Sequence, residues 1–242
     1  MSAFARLLDL AWPRDCEIAT CRHRVDRPGR HVCSDCLMRL PFVRFDGVCQ
    51  VCGRAVPGFE GEFLCAECRA RRPRFDRVAS ALRFEGEARQ MILDFKFNRH
   101  LWLRDDFVDW IEAAVRARFD PAAIDAVVPL PLTRFHRFDR GFNQTVYLSA
   151  PLARRLDRRL LGKALRRTGA SRRQSGLDEK ERVENVKGTF VCVQAPFVRG
   201  RTLLLVDDIL TTGSTLSECA RVLKEAGAVR VWGVTLARTE RC

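Results

Sequence analysis

No uninterrupted apolar stretch among the 242 residues approaches the roughly 20 needed to cross a bilayer as a helix. A membrane-spanning helix is therefore not expected. The opening segment, Met1 to Pro13, is amphipathic at best, because Arg6 and Asp9 interrupt its apolar residues. Neither a signal peptide nor an anchor is expected, and a soluble cytoplasmic protein is. No glycine loop carries the G-K-[ST] ending of a Walker nucleotide site. The four histidines form no arrangement suggestive of a catalytic triad, and His136, beside Arg137, reads as an isolated loop residue. A nucleophile is missing too. Cys192 falls in a predicted strand and Cys219 in a predicted helix, where buried and inert thiols are the rule.

Lysine is scarce, five against 38 arginines, so the formal charge of +13 reflects an arginine-rich composition as much as a function. Such a surplus favours a polyanionic partner, whether nucleic acid, membrane surface or phosphorylated small molecule. A hydrophobic fraction of 47% provides for a sizeable core and excludes a wholly disordered chain. Cysteine is plentiful but unevenly spread: eight of eleven lie between Cys16 and Cys68. In a reducing compartment such cysteines read as metal ligands before disulfides. They divide the chain into a metal-stabilised module over residues 1–72 and a larger domain over 73–242, joined by the basic connector Arg69 to Arg74.

The eight cysteines fall into four ordered pairs: Cys16 and Cys21, Cys33 and Cys36, Cys49 and Cys52, Cys65 and Cys68. Two intervening residues let a tight turn aim both sulfurs at one ion, and two such turns complete a tetrahedral thiolate site for Zn²⁺. Cys49 to Cys68 has the full C-x2-C-x12-C-x2-C form. Cys16 and Cys21 are four residues apart, which leaves His23 or His31 open as an alternative ligand in the first set. Four thiolates leave no position for water, so the zinc is structural. Phe42, Phe45, Phe59 and Phe63 read as core of this small module or as surfaces for base stacking.

Beyond the connector, apolar runs alternate with amphipathic helices. Strands are expected at Val78 to Phe84, Ile124 to Val128, Thr189 to Val193, Thr202 to Val206 and Val229 to Leu236. Helices are expected at Glu87 to Phe97, Trp102 to Phe119, Asn143 to Leu156 and Thr215 to Ala226, the last ending at Gly227. No internal repeat is present there. This is the pattern of an open, mostly parallel α/β sheet.

Leu203 to Thr215, L-L-L-V-D-D-I-L-T-T-G-S-T, runs a buried strand into two acids, small hydroxyl residues, a glycine and a helix start. Ligands of parallel sheets bind at such strand ends. Backbone N–H groups of Thr211, Thr212, Gly213, Ser214 and Thr215, with four hydroxyls, suit a phosphate. Asp207 and Asp208 would repel that anion, and are suited instead to the hydroxyls of a sugar that carries it.

These thirteen residues resemble the 5-phosphoribosyl-1-pyrophosphate (PRPP) loop of type I phosphoribosyltransferases. Over nearly its whole length the chain is similar to the ComF family of competence-associated, phosphoribosyltransferase-like proteins. The resemblance is carried by L-L-D-L-A-W-P-R-D-C at Leu7 to Cys16, D-A-V-V-P-L-P-L at Asp125 to Leu132, and R-F-D-R-G-F-N-Q at Arg137 to Gln144. Gln174, Leu177, Arg182, Asn185 and Phe190 fit a further family stretch. The wider Cys16–Cys21 spacing departs from the family pattern.

The resemblance implies a type I phosphoribosyltransferase-like fold behind two zinc ribbons, PRPP as ligand, Mg²⁺ carried mainly by its pyrophosphate, and a link to uptake of transforming DNA. It implies a reaction through an oxocarbenium-like state, with Asp207 and Asp208 on the ribose and Arg137 and Arg140 facing the leaving pyrophosphate. Arg154 to Arg173 holds nine basic residues and one acid, and its second half is rich in glycine and serine. Arg166, Arg167, Arg172, Arg173 and Gln174 are thereby expected in a mobile loop that closes over PRPP. A competing use of these arginines is a groove tracking single-stranded DNA.

Overall fold

The computed structural model describes residues 14–56, 58–131, 143–168 and 188–240. The expected elements from residue 77 onward are present, with ends shifted by a few residues. In chain order the cysteine-rich part holds α1 (Ser34–Arg39), β1 (Gly47–Cys49), β2 (Gly61–Phe63) and α2 (Ala66–Ala70). Then follow β3 (Arg77–Arg83), α3 (Gly86–Phe97), α4 (Arg104–Arg118), β4 (Ala126–Pro129), α5 (Gln144–Arg155), β5 (Arg159–Leu160), β6 (Leu165–Arg167) and β7 (Phe190–Cys192). The chain closes with α6 (Ala195–Val198), β8 (Thr202–Leu210), α7 (Ser214–Glu225) and β9 (Arg230–Arg238).

Five strands form one parallel sheet in the order β3–β9–β8–β4–β5. Side chains alternate across it, so Leu204 and Val206 join one core layer while Leu203 and Leu205 join the other. The first layer is closed by α3, α4 and α5 through Met91, Ile92, Phe95, Phe107, Ile111, Leu148 and Leu152. The second is closed by α7, through Leu216, Cys219, Ala220 and Leu223, and by the β6–β7 hairpin. Helices on both faces are the consequence of near-continuous apolar strands, which need cover on each side.

From β4 the chain moves outward to β5, and from β8 it moves the other way to β9. The order therefore reverses between β4 and β8, and the carboxyl ends of these two strands are where open parallel sheets bind ligands. β8 runs on to Leu210, past the expected end at Val206. β9 is long enough to keep pairing it there, with Asp207 opposite Thr235 and Leu210 opposite Arg238.

The cysteine-rich part covers the outer edge of β3. Val43 N–H donates to the Ala81 carbonyl, Arg83 N–H to that of Pro41, and Val78 N–H to that of Val51. An unpaired sheet edge is thus closed by loops rather than left open. At Gly53, φ is +66° and an added Cβ would lie 2.5 Å from the Val78 carbonyl oxygen, so only glycine permits this approach.

Candidate functional site

The cysteines gather as two sequential sets, Cys16, Cys21, Cys33 and Cys36, then Cys49, Cys52, Cys65 and Cys68. Within each set the sulfurs lie within 4.8 Å of one another. Cys21 and Cys33 Sγ are 3.8 Å apart, and Cys52 and Cys65 Sγ 3.7 Å. A disulfide would need about 2.05 Å; a tetrahedron with Zn–S bonds of about 2.3 Å has edges of about 3.8 Å. The donor set fits structural zinc. The amide groups of Cys33 and Cys65 point at the sulfurs of Cys16 and Cys49, as suits thiolate acceptors. The wider Cys16–Cys21 spacing is taken up by a turn in which Cys21 N–H donates to the Ile18 carbonyl. Neither histidine alternative enters a cluster. His23 pairs its ring with Asp35, and His31 lies between Arg14 and Asp106.

At the carboxyl end of β8 the chain turns through Thr211 and Thr212 into α7. Gly213 precedes that helix with φ of +72°, a conformation that opens the N-terminal turn without a Cβ penalty. Thr212 and Ser214 join hydroxyls at 2.8 Å, and Ser214 N–H donates to the Thr212 oxygen at 3.3 Å. Thr211 is exposed, and Thr212 to Thr215 are half-buried and reachable. The first turn of α7 holds no acidic residue, so no carboxylate of its own offsets the positive end of the helix.

Asp207 and Asp208 stand just before this turn, both partly buried. Burial, and then the neighbouring Asp208 charge, push the Asp207 carboxyl up to about 7. Asp208 N–H donates to Asp207 Oδ1 at 2.9 Å, which orients the first carboxyl. Asp208 Oδ2 is 2.7 Å from Lys96 Nζ, with side chains only 15% and 10% exposed. Lys96 was not foreseen. Its sequence setting, the last turn of an amphipathic helix, reads as ordinary complement to the helix dipole. The one available signal is its type, one of five lysines in a chain with 38 arginines.

Asn143 caps α5 through Thr145 N–H, and the Thr145 hydroxyl donates to the Leu130 carbonyl at 2.6 Å. That ties the helix to the end of β4. Arg137, Arg140, Arg172, Arg173 and Gln174 lie outside the described residues. Arg166 and Arg167, expected in a mobile loop, are strand residues of the β6–β7 hairpin, paired with Val191 and Phe190. Antiparallel pairing with the Thr189 to Val193 run, rather than local composition, decides their conformation. Arg166 is exposed. The Arg167 guanidinium lies 5.1 Å over the Phe190 ring, with Nε and Nη2 buried and unbonded.

Residues 7–73 match the double zinc ribbon domain family and residues 145–241 the phosphoribosyl transferase domain family. Sheet order, the family matches and the cysteine sets together define a phosphoribosyltransferase-type α/β protein preceded by a double zinc ribbon. Competence protein F of Haemophilus influenzae is 29% identical over 223 residues, covering 90% of this chain and 95% of that protein. The DNA utilization protein YhgH of Escherichia coli is 30% identical over 218 residues, covering 83% and 95%. Competence protein ComFC of Bacillus subtilis is 26% identical over 220 residues, covering 88% and 86%. The chain belongs to the ComF family that these proteins represent. Among solved structures, a glutamine PRPP amidotransferase from B. subtilis aligns with a TM-score of 0.37 at 18% identity. The alignment covers 55% of this chain and 25% of that one. No helix among the described residues is long and apolar enough to cross a membrane.

Proposed function

We propose that this chain binds PRPP as its Mg²⁺ complex and serves the handling of DNA entering the cell. The observation that carries the ligand is the run from Asp207 to Ser214: two carboxylates at a strand end, a left-handed glycine, linked hydroxyls and a helix start with no acid in its first turn. The 5-phosphate takes the first-turn N–H groups and the hydroxyls of Thr211, Thr212, Ser214 and Thr215. The ribose hydroxyls donate to Asp207 and Asp208. With Asp208 paired to Lys96 and Asp207 half-protonated near pH 7, the acidic pair is a weak seat for a divalent cation. Mg²⁺ therefore suits the site as part of the ligand, on the pyrophosphate. The DNA side of the reading is supported by the names competence protein F and DNA utilization protein among its relatives.

The same residues suit transfer of the phosphoribosyl group to an acceptor. In that step the C1–pyrophosphate bond breaks, the pyrophosphate leaves with the bond's electrons, and an acceptor lone pair forms the new bond to C1. Arg137 and Arg140 would neutralise the leaving group. Arg172, Arg173 and Gln174 would close over it and exclude water. Calorimetric titration of PRPP with Mg²⁺ into zinc-loaded protein tests the reading, with Asp207→Asn/Asp208→Asn as comparison and inorganic pyrophosphate as charge-matched control. Saturable PRPP binding that the double variant loses is the expected result. Equal binding by both proteins, or none, would move the site to a nucleic-acid role without PRPP.

A further inference from the structure

Lys96 lies far outside the matched phosphoribosyl transferase region, yet its ammonium is the group that meets the acidic pair. Its position is fixed from two sides. Met91, Ile92 and Phe95 bury the inner face of α3, and the Lys96 carbonyl accepts from Gln144 Nε2 at 3.2 Å, at the start of α5. The α5 residues Gln144 and Thr145 are themselves buried beside the end of β4. The ion pair with Asp208 is thus built beside the carboxyl ends of β4 and β8.

A pair so nearly withdrawn from water is weak support for stability, since desolvating both charges offsets most of their attraction. Its placement inside a polyanion site gives it another use. An incoming ribose brings hydroxyl donors to Asp208, which no longer needs the ammonium. The diol spans C2 and C3, and C2 is bonded to C1, the carbon that carries the pyrophosphate. A cation displaced from Asp208 is therefore already beside the leaving group. Lysine suits this exchange better than arginine, being a compact charge with three rotatable donors on a flexible stem rather than a rigid fork.

We propose that Lys96 is a binding and positioning residue of this site, held on Asp208 before the ligand arrives and redirected to the pyrophosphate once the ribose hydroxyls engage that carboxylate. The inference rests on the PRPP reading above. Its test compares two ligands that differ only at C1, PRPP and ribose 5-phosphate, each titrated with Mg²⁺ into wild type, Lys96→Met, Asp208→Asn and Lys96→Met/Asp208→Asn. The expected result is that Lys96→Met lowers PRPP affinity about tenfold or more, the loss of one charge-assisted hydrogen bond, and leaves ribose 5-phosphate within about threefold. The double variant carries no unpaired carboxylate, so it reports even where Lys96→Met alone folds poorly. It should bind PRPP about tenfold more weakly than Asp208→Asn. Equal losses for the two ligands, or equal PRPP affinities of the double variant and Asp208→Asn, would overturn the proposal by reducing Lys96 to a partner of Asp208. Wild-type protein that binds neither ligand would instead overturn the reading of the site, and the inference with it.

Discussion

Asp207 illustrates how a single side chain can be held against stability for the sake of a site. Its carboxyl has an ordinary value of 3.8 and titrates at about 7 in the fold, burial first and the Asp208 charge second being the causes. Below about pH 3 both folded and unfolded chains are protonated there, and Asp207 contributes nothing to the pH dependence. Between about 3 and 7 the unfolded chain ionises and the folded one resists, so stability falls as pH rises, and the full cost is present above 7. The shift sets a ceiling of about 4 kcal/mol. Asp207→Asn should therefore leave denaturant unfolding unchanged at about pH 3 and stabilise the protein by about 2 kcal/mol at pH 8. Equal effects at both pH values would show that the carboxyl ionises freely in the fold. Gly213 is the opposite case, a residue required by conformation. Gly213→Ala forces a Cβ into φ of +72°, with Leu210 and Phe75 side-chain atoms 3.5 Å away. It should cost about 1 kcal/mol in thermal unfolding and weaken PRPP binding more than that, because the turn must shift to relieve the strain.

Elements were legible in the sequence where their signal was contiguous. The run Leu203 to Thr215 announces strand, turn and helix within one window, and the cysteine pairs announce their clusters by spacing alone. The helix Ser214–Glu225 ends at Gly227, with φ of +98°, as its glycine foretold. What escaped was set by partners distant in the chain. The extension of β8 beyond Val206 comes from β9, the hairpin Leu165–Arg167 with Phe190–Cys192 joins two segments separated by a long insertion, and Lys96 finds Asp208 only through the fold. Arg167 shows the consequence for function. Composition offered it as one of several arginines free to touch a phosphate, yet its Nε and Nη2 atoms are buried without partners and burial lowers its pKa. A buried charge without a counter-charge costs stability. Arg167→Met, which keeps a long apolar stem over Phe190, should leave the melting temperature unchanged or higher, and leave single-stranded DNA affinity unchanged. Exposed Arg166 is the better test of a DNA groove: Arg166→Ala should reduce the salt slope of binding by about one if that residue meets a backbone phosphate. A melting temperature lowered by several degrees in Arg167→Met would refute this view of the hairpin.

Across the whole molecule the two cysteine sets are anchored differently, and this separates their effects. The first set is fastened to α4 by polar contacts: His31 N–H donates to the fully buried Asp106, and Arg30 and Arg155 both meet Asp109. Those contacts end on a helix at the far layer from α7. The second set is fastened to the sheet that carries the site. Arg238, opposite Leu210 in the sheet, donates to the Cys52 carbonyl at 2.7 Å and Val78 N–H of β3 to the Val51 carbonyl, while Arg118 at the end of α4 donates to the Cys49 carbonyl at 2.8 Å. From Cys68 the chain leads within a few residues to Arg74, whose N–H donates to the Ser217 hydroxyl in α7, and to Phe75, which packs on Gly213. Structural zinc contributes about 10 kcal/mol or more to the folding of small modules, so either set should matter to stability. Only the second should matter to the phosphate loop. Cys49→Ser/Cys52→Ser is expected to lose one zinc equivalent, expose the amides of residues 211–217 to hydrogen exchange, and weaken PRPP binding about tenfold. Cys16→Ser/Cys21→Ser is expected to lose one equivalent and lower the melting temperature, with those amides as protected as in wild type. Equal exchange in the two variants would mean that the ribbons act on the loop only through global stability, and that Phe75 and Arg74 transmit nothing of their own.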